Sequence, residues 1–244
     1  MYSRKKLVNM INIIGILKSF FSQFVSLYLI YLRIFNTKEF ERLIKINNSK
    51  ILNISYPRTG NDFVKELMRQ AHPNVIVSHL HRSSNYDYFI NKNPIFTIIR
   101  HPSDCISSSI LKYYSERQLN KIPVYPIYDY YFFHKKLLKY STKVPFYLFE
   151  DLISKPKYFL KFIQKDLNLK NLNFNINQDI IIQKLHNSEL DTNKDIYKFK
   201  GPLEQKERLK KEIIKYLNSH FLYKRVLKIY STLKIIHEKK NINI

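Results

Sequence analysis

The sequence predicts an α/β fold in which helices cover both faces of a central parallel sheet. Short apolar runs rich in β-branched and aromatic residues predict buried strands at Ile51–Ser55, Pro94–Ile99 and Pro145–Phe149. Segments with apolar residues at helical spacing alternate with these strands. A chain of 244 residues, of which 45% are hydrophobic, is long and apolar enough to bury a core.

The remaining elements follow from local signals. One more strand is predicted at Val75–Ser78, and Asn36-Thr37-Lys38-Glu39 has the spacing of a capping box that starts a helix ending near Lys45. Ser103 is the expected N-cap of its helix. The other predicted helices span Asn61–Gln70, Ser103–Glu116, Tyr128–Tyr140, Pro156–Leu167, Gln178–Leu185, Leu203–Leu217 and Leu222–His237. We expect residues 1–48 to form an N-terminal helical segment and residues 49–244 to form the α/β domain.

Residues 7–35 are strongly apolar and follow a short basic stretch. Lys18, Arg33 and several polar residues interrupt the run, mostly on one half of a helix. The opposite side is expected to carry Ile13, Leu17, Phe20, Phe24, Tyr28 and Tyr31. The pattern favours one amphipathic helix, lying on a membrane surface or on the domain, over a single-span membrane anchor. The expected location is the cytoplasm or the cytoplasmic face of a membrane, with the anchor as the alternative.

The net charge of +23 indicates a polyanionic partner, such as an anionic nucleotide, a glycan, an anionic lipid or nucleic acid. A general excess of Lys, Asn, Ile and Tyr is the other explanation for this charge. Because no nucleic-acid-binding signature is present, no specific nucleic acid is expected. The single cysteine, Cys105, excludes an intramolecular disulfide and a zinc site built from cysteines, and no metal is expected.

The loop Tyr56–Asn61 connects the first predicted strand to a helix and is a candidate anion site. Backbone N–H groups are free at a helix N-terminus, where the helix dipole also favours negative charge. Gly60 lets the backbone approach a phosphate closely, and Arg58 and Thr59 add a guanidinium and a hydroxyl. The loop lacks the lysine that follows the last glycine of a Walker A loop, which disfavours ATP or GTP hydrolysis.

A second candidate lies at the end of the strand Pro94–Ile99. Arg100 follows the strand directly, at the carboxyl edge where open α/β sheets bind ligands. Ser108 lies in the helix that follows, on a face able to turn back toward Arg100. An arginine and a serine hydroxyl form a good clamp for a phosphate dianion. The other interpretation is that this arginine only caps a neighbouring strand.

Together these segments resemble the family of sulfotransferases that use 3′-phosphoadenosine-5′-phosphosulfate (PAPS). The 5′-phosphosulfate loop of that family has the form P-[KR]-[ST]-G, matched by Pro57-Arg58-Thr59-Gly60. Its 3′-phosphate segment, R-x-P-x-D-x-x-x-S, is matched by Arg100, Pro102, Asp104 and Ser108. Its Y-E-D-L-x-x-x-P segment resembles Phe149-Glu150-Asp151-Leu152 with Pro156. The resemblance covers about residues 50–217, with the three segments in the family's order.

The resemblance implies a P-loop-like three-layer fold and transfer of a sulfuryl group from PAPS to a hydroxyl or amine acceptor, such as a glycan or glycolipid. It makes Arg58 a catalytic residue and His79, in Ser78-His79-Leu80, the general base, with His81 as the competitor. The residues implied in donor binding are Arg58, Thr59, Gly60, Asn61, Asp62, Phe63, Arg100, Ser108, Lys200 and Gly201. The last two match only part of the family's Arg-Lys-Gly segment, and Lys198 could replace the missing arginine.

One departure concerns Asp62, since the family commonly has a small polar residue there and a carboxylate would repel the donor. Two other functions remain as alternatives. One is a small-molecule kinase on a P-loop scaffold. The other is a non-enzymatic basic protein that binds a membrane or nucleic acid.

Overall fold

A computed structural model describes residues 2–46, 50–113, 122–191 and 203–242 of the chain. The strands are β1 Ile51–Ile54, β2 Val77–Leu80, β3 Ile95–Ile99 and β4 Phe146–Leu148. The helices are α1 Tyr2–Phe21, α2 Val25–Phe35, α3 Thr37–Ile44, α4 Asn61–Ala71, α5 Ser84–Phe89, α6 Pro102–Tyr113, α7 Tyr125–Tyr140, α8 Phe149–Ser154, α9 Pro156–Asp166, α10 Gln178–Asp191, α11 Leu203–Ser219 and α12 Phe221–Ile242.

The strands form one parallel sheet in the order β2-β1-β3-β4. Asn53 of β1 pairs with His79 of β2 on one side, and Leu52 of β1 pairs with Ile95 of β3 on the other. The chain therefore leaves β1 toward one side and crosses to β3 on the opposite side. The carboxyl ends of β1 and β3 lie next to each other, which is the place where open α/β sheets form a ligand crevice.

Helices pack on both faces of the sheet because successive strand side chains point to opposite faces. Leu52, Ile54 and Ile99 join a core that contains residues of α6, α7, α11 and α12. Phe96 and Ile98 join the other core, which contains residues of α4, α9 and α10. The predicted α/β fold, with a parallel sheet covered on both faces, is confirmed.

The second strand begins two residues later than predicted. Val75 N–H donates to the His72 carbonyl at 2.9 Å, which closes a turn after α4, and Ile76 is 59% exposed. Val77 is the first residue that pairs with β1. His79 therefore lies inside β2, where it pairs with Asn53 of β1. The sequence pattern had placed it after the strand.

The single helix expected over residues 7–35 is wrong, because α1 and α2 are separated by a tight turn. Gln23 and Phe24 N–H bond to carbonyls three residues earlier, at 2.9 Å and 3.0 Å. The Ser22 hydroxyl donates to the Ser19 carbonyl at 2.7 Å and so competes with the helical backbone pattern. None of the described helices has the length and apolarity needed to cross a bilayer.

The inward side of α1 is polar. Ser19 is buried and donates to Asp129 Oδ1 of α7 at 2.7 Å, and Arg82 donates to the same carboxylate oxygen at 2.9 Å. Gln23 Nε2 donates to Ser83 Oγ at 2.7 Å. The residues predicted to form one apolar face do not lie on the same side of the protein surface. Tyr28 is buried, whereas the residues at positions 13, 17, 20 and 24 are exposed.

Three smaller predictions also change. Ser103 is not an N-cap, because α6 begins with Pro102, whose fixed φ suits a first helical position. The predicted fourth strand ends at Leu148, and Phe149 starts α8. The helix α5 lies in a stretch where no helix was predicted.

Candidate functional site

A cavity of about 450 Å³ opens at the carboxyl edge of the sheet, next to the ends of β1 and β3. Most of the residues predicted from the sequence line it, together with side chains that the sequence did not indicate. Its lining residues are Pro57, Arg58, Gly60, Asn61, Asp62, Phe63, His79, His81, Arg100, Lys112, Phe149, Ile153 and Leu185.

The loop after β1 is stabilised from inside the protein. Thr59 is fully buried and its hydroxyl donates to the Tyr56 carbonyl at 2.8 Å, while Asn61 Nδ2 donates to the same carbonyl at 3.4 Å. Thr59 does not line the cavity, so its hydroxyl supports the loop and is not placed to bind a ligand as predicted. Asn61 lines the cavity, although its side chain amide is turned toward the loop.

Gly60 is the N-cap of α4 and has a φ of 87°. This left-handed conformation is unfavourable for residues that carry a Cβ atom. A Cβ at position 60 would also lie 2.5 Å from Cε2 of Phe149. Glycine is therefore required here both by the backbone conformation and by the aromatic ring that packs on it.

Arg58 adopts a left-handed backbone conformation, with a φ of 69°. Residues other than glycine adopt it at a cost of about 1–2 kcal/mol, and such residues cluster at functional sites. The Arg58 Nε–H donates to Ser108 Oγ of α6 at 3.0 Å, and the Arg58 carbonyl accepts from Arg100 Nη1 at 3.2 Å. The two predicted anion-binding segments are thus joined by direct hydrogen bonds.

Arg100 follows β3 and is held from two sides. Its guanidinium carbon lies 4.3 Å from the centre of the Phe149 ring, and its carbonyl accepts from the Tyr130 hydroxyl at 2.8 Å. Arg58 and Arg100 both line the cavity, and so does Lys112, one helical turn beyond Ser108. Three cationic side chains therefore surround a space of suitable size for a small anionic ligand.

His79 and His81 contribute neutral imidazole rings to the cavity. Burial, together with the charge of the nearby His81, lowers the pKa of His79 to about 4. The pKa of His81 is also lowered, mainly because the surrounding protein displaces water from the ring. His79 Nδ1 lies 3.2 Å from Asn53 Nδ2, and His81 Nδ1 donates to the Ser55 carbonyl at 2.9 Å. Both rings are uncharged at pH 7.

The other predicted site residues divide between the cavity and its supports. Asp62 is exposed in the first turn of α4 and Phe63 is largely buried, and both line the cavity. Ser108 positions the Arg58 guanidinium. Lys200 and Gly201, like Lys198, lie outside the described residues.

Two acidic residues of the sequence motifs support the framework instead of lining the cavity. Asp104 of α6 pairs with Lys210 of α11 at 3.2 Å. Asp151 of α8 lies 2.9 Å from His237 Nε2 of α12. These contacts tie the helices after β3 and β4 to the C-terminal helices, so both motif carboxylates have structural roles here.

Sequence reasoning missed the contribution of Asn53 and Leu185 and the position of the Phe149 ring over Gly60 and Arg100. Asn53 had a detectable signal, because it is the one polar residue in the apolar run Ile51-Leu52-Asn53-Ile54. A buried polar side chain requires partners, and Asn53, which is fully buried, bonds to Asn61 and His79. Leu185 had no comparable signal.

Within the described residues, no group of three or more histidine, cysteine, aspartate or glutamate side chains is placed to hold a metal ion. Comparison of the chain with protein-family models and with curated protein sequences gives no match.

Proposed function

We propose that this protein is a sulfotransferase that transfers the sulfuryl group of PAPS to a hydroxyl or amine acceptor. The observation that carries the proposal is the direct joining of the two anion-binding segments. Arg58 donates to Ser108 and accepts from Arg100, so the loop after β1 and the segment after β3 form one cationic wall of a single cavity. The proposed fold is P-loop-like, supported by a β1–loop–α4 unit in a parallel sheet.

Sulfuryl transfer requires an acceptor placed in line with the leaving phosphate and a stabilised charge on that phosphate. In this site Arg58 would contact the bridging and 5′-phosphate oxygens at the start of α4, whose free N–H groups add further donors. Arg100, fixed against Phe149, would bind the 3′-phosphate. The neutral imidazoles of His79 and His81, which line the same cavity, would then supply the general base for the acceptor.

The basic surface favours an anionic or saccharide acceptor, such as a glycan or glycolipid. Asp62 stands among the cavity residues and would repel the donor unless its carboxylate turns outward, which its exposure allows. A P-loop kinase is disfavoured because Asn61 occupies the position of the Walker lysine and turns its side chain inward.

The test is calorimetric binding of adenosine 3′,5′-bisphosphate (PAP), of adenosine 5′-phosphosulfate, which lacks the 3′-phosphate, and of ATP with Mg²⁺. We expect PAP to bind and to raise the melting temperature, and ATP with Mg²⁺ to do neither. Arg100→Ala should weaken binding of PAP but leave binding of adenosine 5′-phosphosulfate nearly unchanged. Absence of any PAP binding, together with no transfer from ³⁵S-labelled PAPS to a panel of glycans, lipids and phenols, would overturn the proposal.

A further inference from the structure

The hydrogen-bond donors and acceptors around the two cavity histidines have a fixed direction. The series of hydrogen bonds begins at the backbone N–H of Ile98, which can only donate. It donates to Ser55 Oγ at 2.7 Å. The Ser55 hydroxyl then directs its own hydrogen to Asn53 Oδ1. Asn53 and Ser55 are fully buried, so water does not supply alternative partners. The side chain oxygen of Asn53 is therefore the acceptor, and its Nδ2 group faces the site.

The Nδ2 group of Asn53 donates to Asn61 Oδ1 at 2.9 Å and to His79 Nδ1 at 3.2 Å. Asn61 cannot reverse without placing its oxygen against the Tyr56 carbonyl, to which its Nδ2 now donates. Reversal of Asn53 alone would bring two amide oxygens together and leave the Ser55 hydrogen without an acceptor. His79 Nδ1 is thus an acceptor, and the proton of the neutral ring is on Nε2.

His79 Nε2 is buried and has no hydrogen-bond partner among the described residues. A buried N–H group of this kind is an unsatisfied donor, and buried donors are almost always paired with an acceptor atom. His79 lines the cavity, so a ligand oxygen that displaces the atoms covering Nε2 is the available partner.

His81 has the opposite arrangement. Its Nδ1 lies 2.9 Å from the Ser55 carbonyl, which can only accept, so Nδ1 carries the proton. Nε2 of His81 therefore keeps its lone pair. His81 is an exposed residue that lines the same cavity, so this lone pair is open to a substrate although neighbouring groups displace much of the water around the ring.

We propose that His81, and not His79, is the general base of the sulfuryl transfer, and that His79 donates a hydrogen bond to a sulfuryl or acceptor oxygen. This inference rests on the proposed function. In the step, the acceptor oxygen forms a bond to sulfur while its proton moves to His81 Nε2. The bond from sulfur to the bridging oxygen breaks, and the 5′-phosphate of PAP leaves with the electron pair.

The tautomers can be measured without any substrate. Long-range ¹H–¹⁵N correlation spectra of the labelled protein at pH 7, assigned with His79→Gln and His81→Gln, distinguish protonated from unprotonated ring nitrogens. We expect a proton on Nε2 of His79 and on Nδ1 of His81. The reverse pattern would overturn the inference whether or not the protein transfers sulfuryl groups.

The chemical roles are separated by ³⁵S release from PAPS with water as the acceptor, measured beside calorimetric PAP binding. Glutamine can donate a hydrogen bond but cannot take a proton, so His79→Gln should stay within about 10-fold of the wild-type rate, and His79→Leu should lose about 100-fold. His81→Gln should lose about 100-fold or more while its PAP binding is unchanged.

Equal losses in His79→Gln and His79→Leu would return the base role to His79. A loss in Asp62→Asn that matches the loss in His81→Gln would assign the base role to the Asp62 carboxylate. A wild-type protein without PAP binding or ³⁵S release would instead count against the proposed function.

A second inference comes from the outer face of α1 and α2, which we define by Ile13, Ile14, Leu17, Phe20, Phe24, Leu27, Ile30 and Ile34. These side chains are between 45% and 64% exposed, and their spacing of three or four residues is that of an apolar stripe on helices. On the inward side, Ser19 of α1 bonds to Asp129, and Gln23, in the turn before α2, bonds to Ser83. On α1 the usual orientation of an amphipathic helix on a domain is therefore inverted, whereas α2 also buries Tyr28 and Leu32 in the core.

The charge around the outer face identifies its partner. Residues 1–38 contain six basic residues and no acidic residue, among them the exposed Arg33 and Lys38 at the end of α2 and the start of α3. A second copy of the chain would bring the same positive charge to the contact. An anionic lipid surface attracts both features, because basic residues bind its headgroups and apolar side chains enter the acyl boundary.

We infer that the outer face binds the surface of an anionic lipid leaflet, with α1 and α2 lying parallel to it. Arg42 of α3 is near enough to the cavity that its charge lowers the pKa of both His79 and His81. The helix that follows α2 is therefore close to the site, which suits an acceptor carried by a lipid or presented at the membrane.

Co-sedimentation with vesicles tests this inference. We expect the full chain to bind phosphatidylcholine vesicles that contain phosphatidylglycerol, and to bind pure phosphatidylcholine vesicles much less. The variant Ile13→Gln/Ile30→Gln/Ile34→Gln should lose binding by about 10-fold or more, since it removes inserted apolar surface.

The matched control is Ile76→Gln/Ile182→Gln/Ile235→Gln, which changes three isoleucines that are 51–59% exposed elsewhere on the protein. It should bind like the wild type. Equal losses in the two triple variants, or equal binding to both kinds of vesicle, would overturn the inference. So would a dimer, detected by light scattering, that the first variant converts to monomers while the wild type does not bind vesicles.

Discussion

Arg58→Met should weaken PAP binding by about 100-fold or more. A hydrogen bond between charged groups contributes about 1.5–3 kcal/mol, and an arginine that contacts a phosphate with two N–H groups can supply more than one. Methionine keeps much of the length of the side chain but removes the charge and the donors. Loss of about 2.7 kcal/mol corresponds to the expected 100-fold, and calorimetry at fixed ionic strength measures it.

The matched control is Arg69→Met, which makes the same change on the exposed side of α4. Arg69 is 70% exposed and pairs with Glu66 at 3.8 Å. This variant has the same net charge as Arg58→Met, so a general charge effect would weaken PAP binding equally in both. We expect Arg69→Met to bind within about 2-fold of the wild type, since surface ion pairs contribute less than about 1 kcal/mol.

Gly60→Ala should destabilise the protein by about 2–5 kcal/mol and abolish measurable PAP binding. Alanine at a φ of 87° costs about 1–2 kcal/mol. Its Cβ would lie 2.5 Å and 2.7 Å from two carbons of the Phe149 ring, an overpacking that costs about 1–3 kcal/mol more. Relief of the contact would displace Phe149, and with it the support for Arg100. Urea denaturation measures the stability, and calorimetry measures the binding.

The double variant Gly60→Ala/Phe149→Leu separates the two costs. Leucine is smaller than phenylalanine and leaves room for the new methyl group, whereas the backbone strain at position 60 remains. Compared with Phe149→Leu alone, we expect the added alanine to cost only about 1–2 kcal/mol. A Gly60→Ala protein as stable as the wild type would contradict the close packing of Phe149 on the loop.

Local signals predicted the elements that carry the site. The apolar run Ile51–Ile54, the punctuation by Pro57 and Gly60, and the apolar spacing of α4 all belong to one short stretch of chain, so they can be recognised from sequence. The same holds for β3, Arg100 and α6. The start of β2 was misplaced because the turn closed by Val75 N–H competes with strand pairing, and the apolar pattern does not show which wins.

The roles of individual hydroxyls could not be predicted in the same way. Thr59 and Ser108 match a phosphate-binding pattern, yet Thr59 bonds to Tyr56 and Ser108 bonds to Arg58. The inward side of α1 depends likewise on Asp129, which is distant in sequence from Ser19. Contacts of this kind are set by the assembled structure, whereas residue type and spacing only limit the candidates.

The packing of Phe149 on Gly60 has a consequence for how this sequence can change during evolution. The two positions lie far apart in the chain, yet a side chain at position 60 and an aromatic ring at position 149 would occupy the same space. In homologous chains we therefore expect residue 60 to depart from glycine only where residue 149 is smaller than phenylalanine. Such a pair would also lose the aromatic support of Arg100, so a side chain at position 60 or loss of the ring at position 149 should mark homologues that have given up this arrangement of the cavity.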